Sequence, residues 1–67
     1  MIKYKDFYYT TKIVGFKERN NSIPIKLYSW YIREKNGGVM QESEEQFENK
    51  EDAEYNAQEN IDEYWYY

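Results

Sequence analysis

The residues from Leu27 to Ser43 constrain the fold most, because two strand-like runs here flank a turn signal. Tyr28 to Ile32 is rich in aromatic and β-branched residues, which suit the pleated surface of a sheet. Asn36-Gly37 supplies the two positive-φ residues that a type I′ turn needs, and the chain after it can return beside the first run. The pattern therefore predicts a β-hairpin.

The register of this hairpin depends on Gly38, which can lengthen the loop by one residue. Neighbouring side chains of a strand point to opposite faces, so a shift of one residue decides whether Val39 or Met40 faces the core. The sequence leaves both registers open, and the prediction favours Val39.

Two longer strands are predicted around the hairpin. Ile2 to Phe16 alternates aromatic and β-branched residues and is predicted to be one strand, with a bulge or strand end at Gly15. Ile25 to Glu34 is predicted to be the second strand and includes the first arm of the hairpin. The more apolar face of this second strand, which is predicted to meet a helix, consists of Tyr28, Trp30 and Ile32.

A helix is predicted after the hairpin, from about Lys50 to Tyr64. Asn49 is a suitable N-cap, and Asp52 three residues later completes something close to a capping box. Phe47 is predicted to tuck under the helix. The order β-β-β-α then predicts a single α+β domain over residues 1–67, with one C-terminal helix packed on one face of a three-stranded antiparallel sheet. The apolar stripe of the helix consists of Ala53, Ala57, Ile61 and Tyr64.

Some hairpin and helix-start residues follow a pattern seen in two families, without a motif specific to either: Trp30-Tyr31-Ile32, Asn36-Gly37, Ser43-Glu44, Phe47 and Glu51-Asp52-Ala53. The hairpin and the following helix start resemble the repeat of small YegP-like bacterial proteins. The β-β-β-α order is also similar to HicB-like antitoxins, through the helix residues Asp52-Ala53, Asn56-Ala57 and Ile61. The resemblance spans residues 28–62 and implies a small β-β-β-α fold. The HicB-like pattern implies an antitoxin or regulator, and neither pattern implies catalytic residues.

The absence of cysteine and histidine from these 67 residues limits the chemistry. A domain of this size buries only about 60% of the surface that its unfolded chain exposes. Without these residues it lacks disulfides, thiolate and imidazole ligands, and the commonest general base. The chain has nine Tyr, three Phe and two Trp, and a few of them can supply most of a small core, because one aromatic side chain can bury about 150–250 Å².

The remaining polar residues do not form a recognisable active site. Two carboxylates can act as acid and base when burial gives them different pKa values. Here most of the carboxylates lie on a predicted solvated helix. The serines lack an activating partner, Gly37-Gly38 belongs to a turn, and the acidic residues lack the spacing of a calcium loop. We therefore predict no enzyme activity, no metal site and no cofactor. The absence of a long apolar run or a signal-peptide pattern predicts a cytoplasmic protein without membrane contact.

Charge is divided unequally along the chain. Residues 1–41 carry eight Lys and Arg against three Asp and Glu, whereas residues 42–67 carry ten Asp and Glu against one Lys. Helical projection gathers part of the acidic half opposite the apolar stripe, without lysines at i+4 to relieve repulsion. The predicted partner-binding residues are Glu51, Asp52, Tyr55, Glu59, Asp62 and Glu63.

These residues predict a small non-catalytic module that binds a basic protein surface. The concrete hypothesis is an inhibitor of a nucleic-acid enzyme, of the anti-CRISPR or anti-restriction type that phages and mobile elements encode. Its acidic helix would mimic phosphates, since carboxylates one helical turn apart lie about 5–6 Å apart. A solvated helix face without a partner is the plainer explanation of the same charges.

The basic and aromatic residues of the first half predict a different function, namely a sheet that binds nucleic acid. A HicB-like regulator and a homodimer through an open sheet edge are also compatible with the sequence. At the C-terminus, Tyr64 and Trp65 are predicted to be structural rather than interfacial. The residues of the nucleic-acid hypothesis are Lys3, Lys5, Lys12, Lys26, Arg33, Tyr4, Tyr8, Tyr28 and Tyr31.

Overall fold

A computed structural model describes residues 1–20 and 23–66. Its strands are β1 (Ile2–Tyr4), β2 (Phe7–Lys17), β3 (Ile25–Arg33) and β4 (Val39–Glu42), and its helix is α1 (Lys50–Asn60), extended by a π-helical turn at Ile61–Trp65. The strands form one antiparallel sheet in the order β1-β2-β3-β4, and α1 packs on one face of it. The α+β class and the C-terminal helix are thereby confirmed. No helix in the described part of the chain is long and apolar enough to cross a membrane.

The prediction of three strands was wrong, because the predicted first strand is divided into β1 and β2. Tyr4 pairs with Phe7 across a two-residue turn, in which Lys5 has a φ of 55°. A positive φ is uncommon outside glycine, asparagine and aspartate. The sequence at Lys5-Asp6 therefore has no glycine or asparagine to indicate a turn. Because the neighbouring residues favour a strand, the sequence predicted one continuous strand. The bulge at Gly15 is confirmed by a register shift between Ile13 and Gly15 in the pairing of β2 with β3.

The predicted hairpin between β3 and β4 is present, but its turn type and register differ from the prediction. Among the described residues only Lys5 and Gly37 have positive φ, so the type I′ assignment at Asn36-Gly37 was wrong. Glu34 accepts a hydrogen bond from Gly37 N–H at 2.9 Å and donates its own N–H to the Gly38 carbonyl at 2.8 Å. These bonds close a three-residue loop with a left-handed glycine, another common hairpin connection.

The longer loop reverses the sides of the sheet to which Val39 and Met40 were predicted to point. Val39 pairs with Arg33 and is 50% exposed, whereas Met40 packs against the core. A register shift between Ile32 and Arg33 places a bulge here. The preference for Val39 was therefore wrong, because the loop is one residue longer than a two-residue turn.

The core lies between α1 and the middle of β2 and β3. The predicted helix-facing residues Trp30 and Ile32 are buried, together with Tyr9, and Tyr28 is half-buried against them. Because Ala53 and Ala57 are small and fully buried, the helix can lie close to the indole of Trp30. The same indole donates its Nε1–H to Asn56 Oδ1 at 2.8 Å, which satisfies its polar atom within the core.

Phe47 joins the helix start to the sheet. It packs against the core as predicted, but it also exchanges two backbone hydrogen bonds with Tyr28, of 2.7 and 2.8 Å. Asn49 occupies the N-cap position, yet its side chain makes no capping bond and donates instead to Asp52 Oδ2 at 3.1 Å. The N-cap position is thus confirmed and the capping box is wrong.

The π-helical turn changes which residue after Ile61 lies on the side of the helix that faces the sheet. Tyr66 N–H donates to the Ile61 carbonyl at 2.8 Å, a bond from i+5 to i that widens the turn. Tyr64 is consequently 53% exposed, so its predicted place in the apolar stripe was wrong. Trp65, which is 36% exposed, lies against the sheet, with its ring centroid 6.5 Å from that of Phe7 and its Nε1–H donated to Gln41 Oε1 at 2.8 Å.

Candidate protein-binding surface

The acidic face is the set of six residues predicted to bind a partner, and the structure exposes all of them. Tyr55, near its centre, is 65% exposed. The face exists because Ala53 and Ala57 direct the opposite side of α1 to the sheet, so that charged residues remain toward solvent. The acidic face consists of Glu51, Asp52, Tyr55, Glu59, Asp62 and Glu63.

Asp62 differs from the other acids, because the N-terminal hairpin reaches it. Lys5 forms an ion pair with Asp62 Oδ1, and the Tyr4 hydroxyl donates to Asp62 Oδ2 at 2.9 Å. The hydrogen bond from Lys5, reinforced by that from Tyr4, lowers the pKa of Asp62 below its ordinary value. Lys5 also lies over the Tyr66 ring, 4.6 Å from its centroid. One carboxylate of the acidic face is therefore neutralised within the fold.

The remaining carboxylates of the acidic face have no such cation in the described part of the chain. Within residues 1–20 and 23–66 the only other ion pair joins Lys17 to Glu48 at 3.6 Å, and neither residue belongs to the face. Glu51, Glu59 and Glu63 thus have no ion pair with the described residues, and Asp52 accepts only the amide of Asn49. Helix α1 has no basic residue in its last turn, where cations would be favoured by the helix dipole.

A groove runs beside the acidic face, between α1 and the chain that follows β4. Its volume is about 360 Å³, enough for one or two side chains by comparison with ligand pockets of roughly 300–1,000 Å³. Glu44, Glu45 and Tyr64 contribute to its rim, and Trp30 lies at its base. The amides that complete its lining are Gln41, Asn56 and Asn60.

These three amides form a hydrogen-bonded chain that sequence reasoning missed. Gln41 donates to Asn60 Oδ1 at 3.2 Å, and Asn60 donates to the Asn56 carbonyl at 2.9 Å. The indoles of Trp65 and Trp30 donate to its two ends. The spacing of Asn56 and Asn60, one turn apart beside the apolar stripe, is the signal that could have revealed it. The chain of bonds fixes the wall of the groove.

The structure places the residues of the nucleic-acid hypothesis in different parts of the molecule. Lys5 and Tyr4 turn to Asp62, and Tyr28 packs against the core. Lys26 pairs with Phe16. The rest lie on the side of the sheet away from α1, because cross-strand partners share a face and alternate with core residues. We call this side the open face, defined by Lys3, Tyr8, Thr10, Lys12, Ser29, Tyr31 and Arg33.

Replacement of Asp62 by asparagine is expected to lower stability slightly at pH 7. Because the pKa of Asp62 is lowered in the folded chain, its contribution is fully present above the ordinary aspartate pKa of about 3.9. It is lost as the pH falls through the lower folded value. The difference in melting temperature between Asp62→Asn and the wild type should therefore shrink as the pH is lowered from the ordinary aspartate pKa through the lower folded value. The matched variant Glu63→Gln should show no such loss at pH 7, and equal stability of Asp62→Asn and wild type there would contradict the ion pair.

No model of a known protein family, no curated protein and no solved structure matches this chain. The resemblance to YegP-like and HicB-like proteins therefore stays a prediction. Among the described residues, no group of three or more acidic side chains is placed to hold a metal ion.

Proposed function

We propose that this chain is a non-catalytic module that binds a basic protein through its acidic face. The observation that carries the proposal is the exposure of Glu51, Glu59 and Glu63 without an ion pair among the described residues. A surface that serves solubility alone usually mixes both signs of charge. Here the acids are concentrated on one face, and a basic partner would supply the missing cations.

The position of the acids along the helix supports the same proposal. Anions near a helix C-terminus oppose the helix dipole at a cost of about 0.3–1 kcal/mol each at exposed sites. Glu59 lies near the end of α1 and Glu63 in the π-helical turn, so both reduce the stability of the element that carries them. Residues kept at a cost to stability are candidates for function.

Non-electrostatic features favour a protein as the partner. Tyr55 stands 65% exposed among the carboxylates, and tyrosine is enriched among interface residues that carry binding energy. The adjoining groove has room for a partner side chain. Glu44 and Glu45 at its rim add two carboxylates, which would favour a lysine or arginine from the partner.

The more specific form of the proposal is an inhibitor of a nucleic-acid enzyme, of the anti-CRISPR or anti-restriction type. Carboxylates one helical turn apart are separated by about 5.4 Å along the axis, a spacing that suits a surface built to replace a phosphate backbone. The chain would then occupy the basic groove of the enzyme and compete with its DNA. Such competition is electrostatic and therefore weakens as salt is raised.

The experiment is displacement of labelled DNA from purified RNA-guided nucleases and restriction enzymes. Wild-type chain is compared with the triple variant Glu51→Lys, Glu59→Lys and Glu63→Lys, which we expect to lose displacement. A matched variant of the same net charge, with lysine at Asp6, Glu18 and Glu34, should retain it. These three control residues are exposed and lie outside α1 and the π-helical turn.

The two levels of the proposal fail in different ways. If no enzyme of the panel releases its DNA, the inhibitor form is wrong. If the triple variant displaces DNA as well as the wild type does, the acidic face is not the binding surface. Thermal unfolding of each variant verifies the fold, since Glu59→Lys and Glu63→Lys should be favourable at the helix end and Glu51→Lys unfavourable at its start.

A further inference from the structure

The open face carries a second charged surface, of opposite sign to the acidic face. Lys3 and Arg33 flank Tyr8 across the strands, and Lys12 lies further along β2. Glu42 on β4 pairs with Tyr31 and is the one acidic residue of the described strands that lies on this face. The open face is therefore basic although the whole chain is acidic.

The two charged faces are separated by the thickness of the molecule. The Cα atoms extend over 46 × 20 × 17 Å, and α1 covers the side of the sheet opposite the open face. Charges on opposite sides are thus farther apart than the Debye length of about 8 Å at physiological ionic strength. The acidic face consequently cancels little of the local potential over Lys3, Lys12 and Arg33, and the net charge of −4 does not describe this surface.

Tyr31 is held among these cations. Lys12 Nζ lies 5.3 Å from its ring centroid and Arg33 Cζ lies 6.0 Å away. The guanidinium of Arg33 is fixed in place, because Nε donates to Thr10 Oγ1 at 3.4 Å and a terminal nitrogen donates to the Gly37 carbonyl at 3.0 Å. Of the guanidinium's N–H groups, those on the second terminal nitrogen stay available to a ligand.

We propose that the open face binds single-stranded nucleic acid, a function separate from protein binding by the acidic face. Tyr8 and Tyr31 occupy diagonal positions on β2 and β3, where side chains of an antiparallel pair lie about 7–8 Å apart. Two unstacked bases pack on these rings; Lys12 moves from its position over the Tyr31 ring to a phosphate, and Lys3 and Arg33 also contact phosphates. Because any base can stack on an aromatic ring, the expected ligand is single-stranded nucleic acid without a strict sequence requirement.

The shape of the sheet selects a single strand rather than a duplex. Bases stack on aromatic side chains only where they are unpaired. The two edge strands of the sheet, β1 and β4, are short, with three and four residues. Charge complementarity and the two partly exposed tyrosines, Tyr8 and Tyr31, point to the same class of ligand.

The test is fluorescence polarisation with labelled oligo(dT) and oligo(rU) of about 15 nucleotides, within the site size of one small sheet domain. Salt is varied from about 50 to 200 mM, and binding should weaken with a logarithmic slope of about −2 for three phosphate contacts to a single strand. Tyr31→Ala should weaken binding by roughly fivefold or more, from the loss of one stacked base, and Tyr31→Phe should retain it. The two oligonucleotides distinguish DNA from RNA as the preferred strand.

Lys12→Gln and its matched control Lys50→Gln change the net charge equally. Lys12 lies on the open face, whereas Lys50 begins α1, so only Lys12→Gln should weaken binding. This pair keeps the test valid if Tyr31→Ala fails to fold. The proposal is overturned if neither oligonucleotide binds at the lowest salt, or if Lys50→Gln and Lys12→Gln weaken binding equally.

Discussion

Replacement of Trp30 by alanine is expected to lower the free energy of unfolding at 25 °C by about 3–5 kcal/mol. The indole is 2% exposed and is one of the largest buried side chains. Truncating a buried tryptophan to alanine costs about 3–5 kcal/mol, and the variant also leaves Asn56 without its indole donor. A chain of this length is stable by about 3–10 kcal/mol at roughly 0.05–0.15 kcal/mol per residue, so the loss is from about a third of the stability to all of it.

The matched control is Trp65→Ala, which removes the same side chain from a site that is 36% exposed. It loses the hydrogen bond to Gln41 and the contact with Phe7, and should unfold cooperatively at a moderately lower urea concentration. Far-UV circular dichroism in urea provides the measurement. A Trp30→Ala variant with a transition midpoint equal to that of the wild type would show that α1 does not pack on this indole.

Replacement of Ile61 by alanine is the second large effect that we expect. Ile61 is fully buried at the junction of α1 and the π-helical turn. Its truncation should cost about 2–5 kcal/mol in unfolding free energy, because the removed methyl and methylene groups leave a cavity. Truncation of Ile61 should also loosen the π-helical turn, which brings Trp65 to β4.

Ile23→Ala makes the same chemical change at a position that is 85% exposed, and we expect it to stay within about 0.5 kcal/mol of wild type. Urea unfolding of both variants at one pH gives the comparison. Equal losses for Ile61→Ala and Ile23→Ala would contradict the burial of Ile61 beneath the helix.

Hydrophobic patterning predicted the elements that bury apolar surface. Trp30, Ile32, Ala53 and Ala57 were assigned to the core from their spacing alone, and all four are buried. Such residues are predictable because alternation along a strand and the 3.6-residue helical period determine which side chains share a face. The helix and the β3–β4 hairpin followed from the same periodicities.

Backbone features without a local signal were not predictable. The turn at Lys5-Asp6 uses a lysine in the left-handed region, where such a residue costs roughly 1–2 kcal/mol. Its ion pair with Asp62 lies 57 residues away in the chain, so the compensating contact is visible only in three dimensions. The widened turn at Ile61 is a similar case, since a π-helical bond from Tyr66 leaves no mark in the sequence.

The candidate site was only partly predictable for the same reason. The exposure of Glu51, Tyr55 and Glu59 follows from the helical projection and is present in the structure. The neutralisation of Asp62 and the groove beside Tyr64 depend on tertiary contacts. The segregation of basic residues onto the open face likewise depends on the pairing of β2 with β3. The chain thus presents two surfaces of opposite charge, for which we propose two different ligands.

The proposal that the acidic face binds a basic protein is tested most directly by nuclear magnetic resonance. The ¹⁵N-labelled chain is titrated with the DNA-binding enzyme from which it displaces DNA. We predict that the amide signals of Glu51, Tyr55 and Glu59 shift or broaden first, while those of Tyr8 and Tyr31 on the open face stay unchanged. Changes confined to the open face, or equal changes in the triple lysine variant, would contradict the proposal.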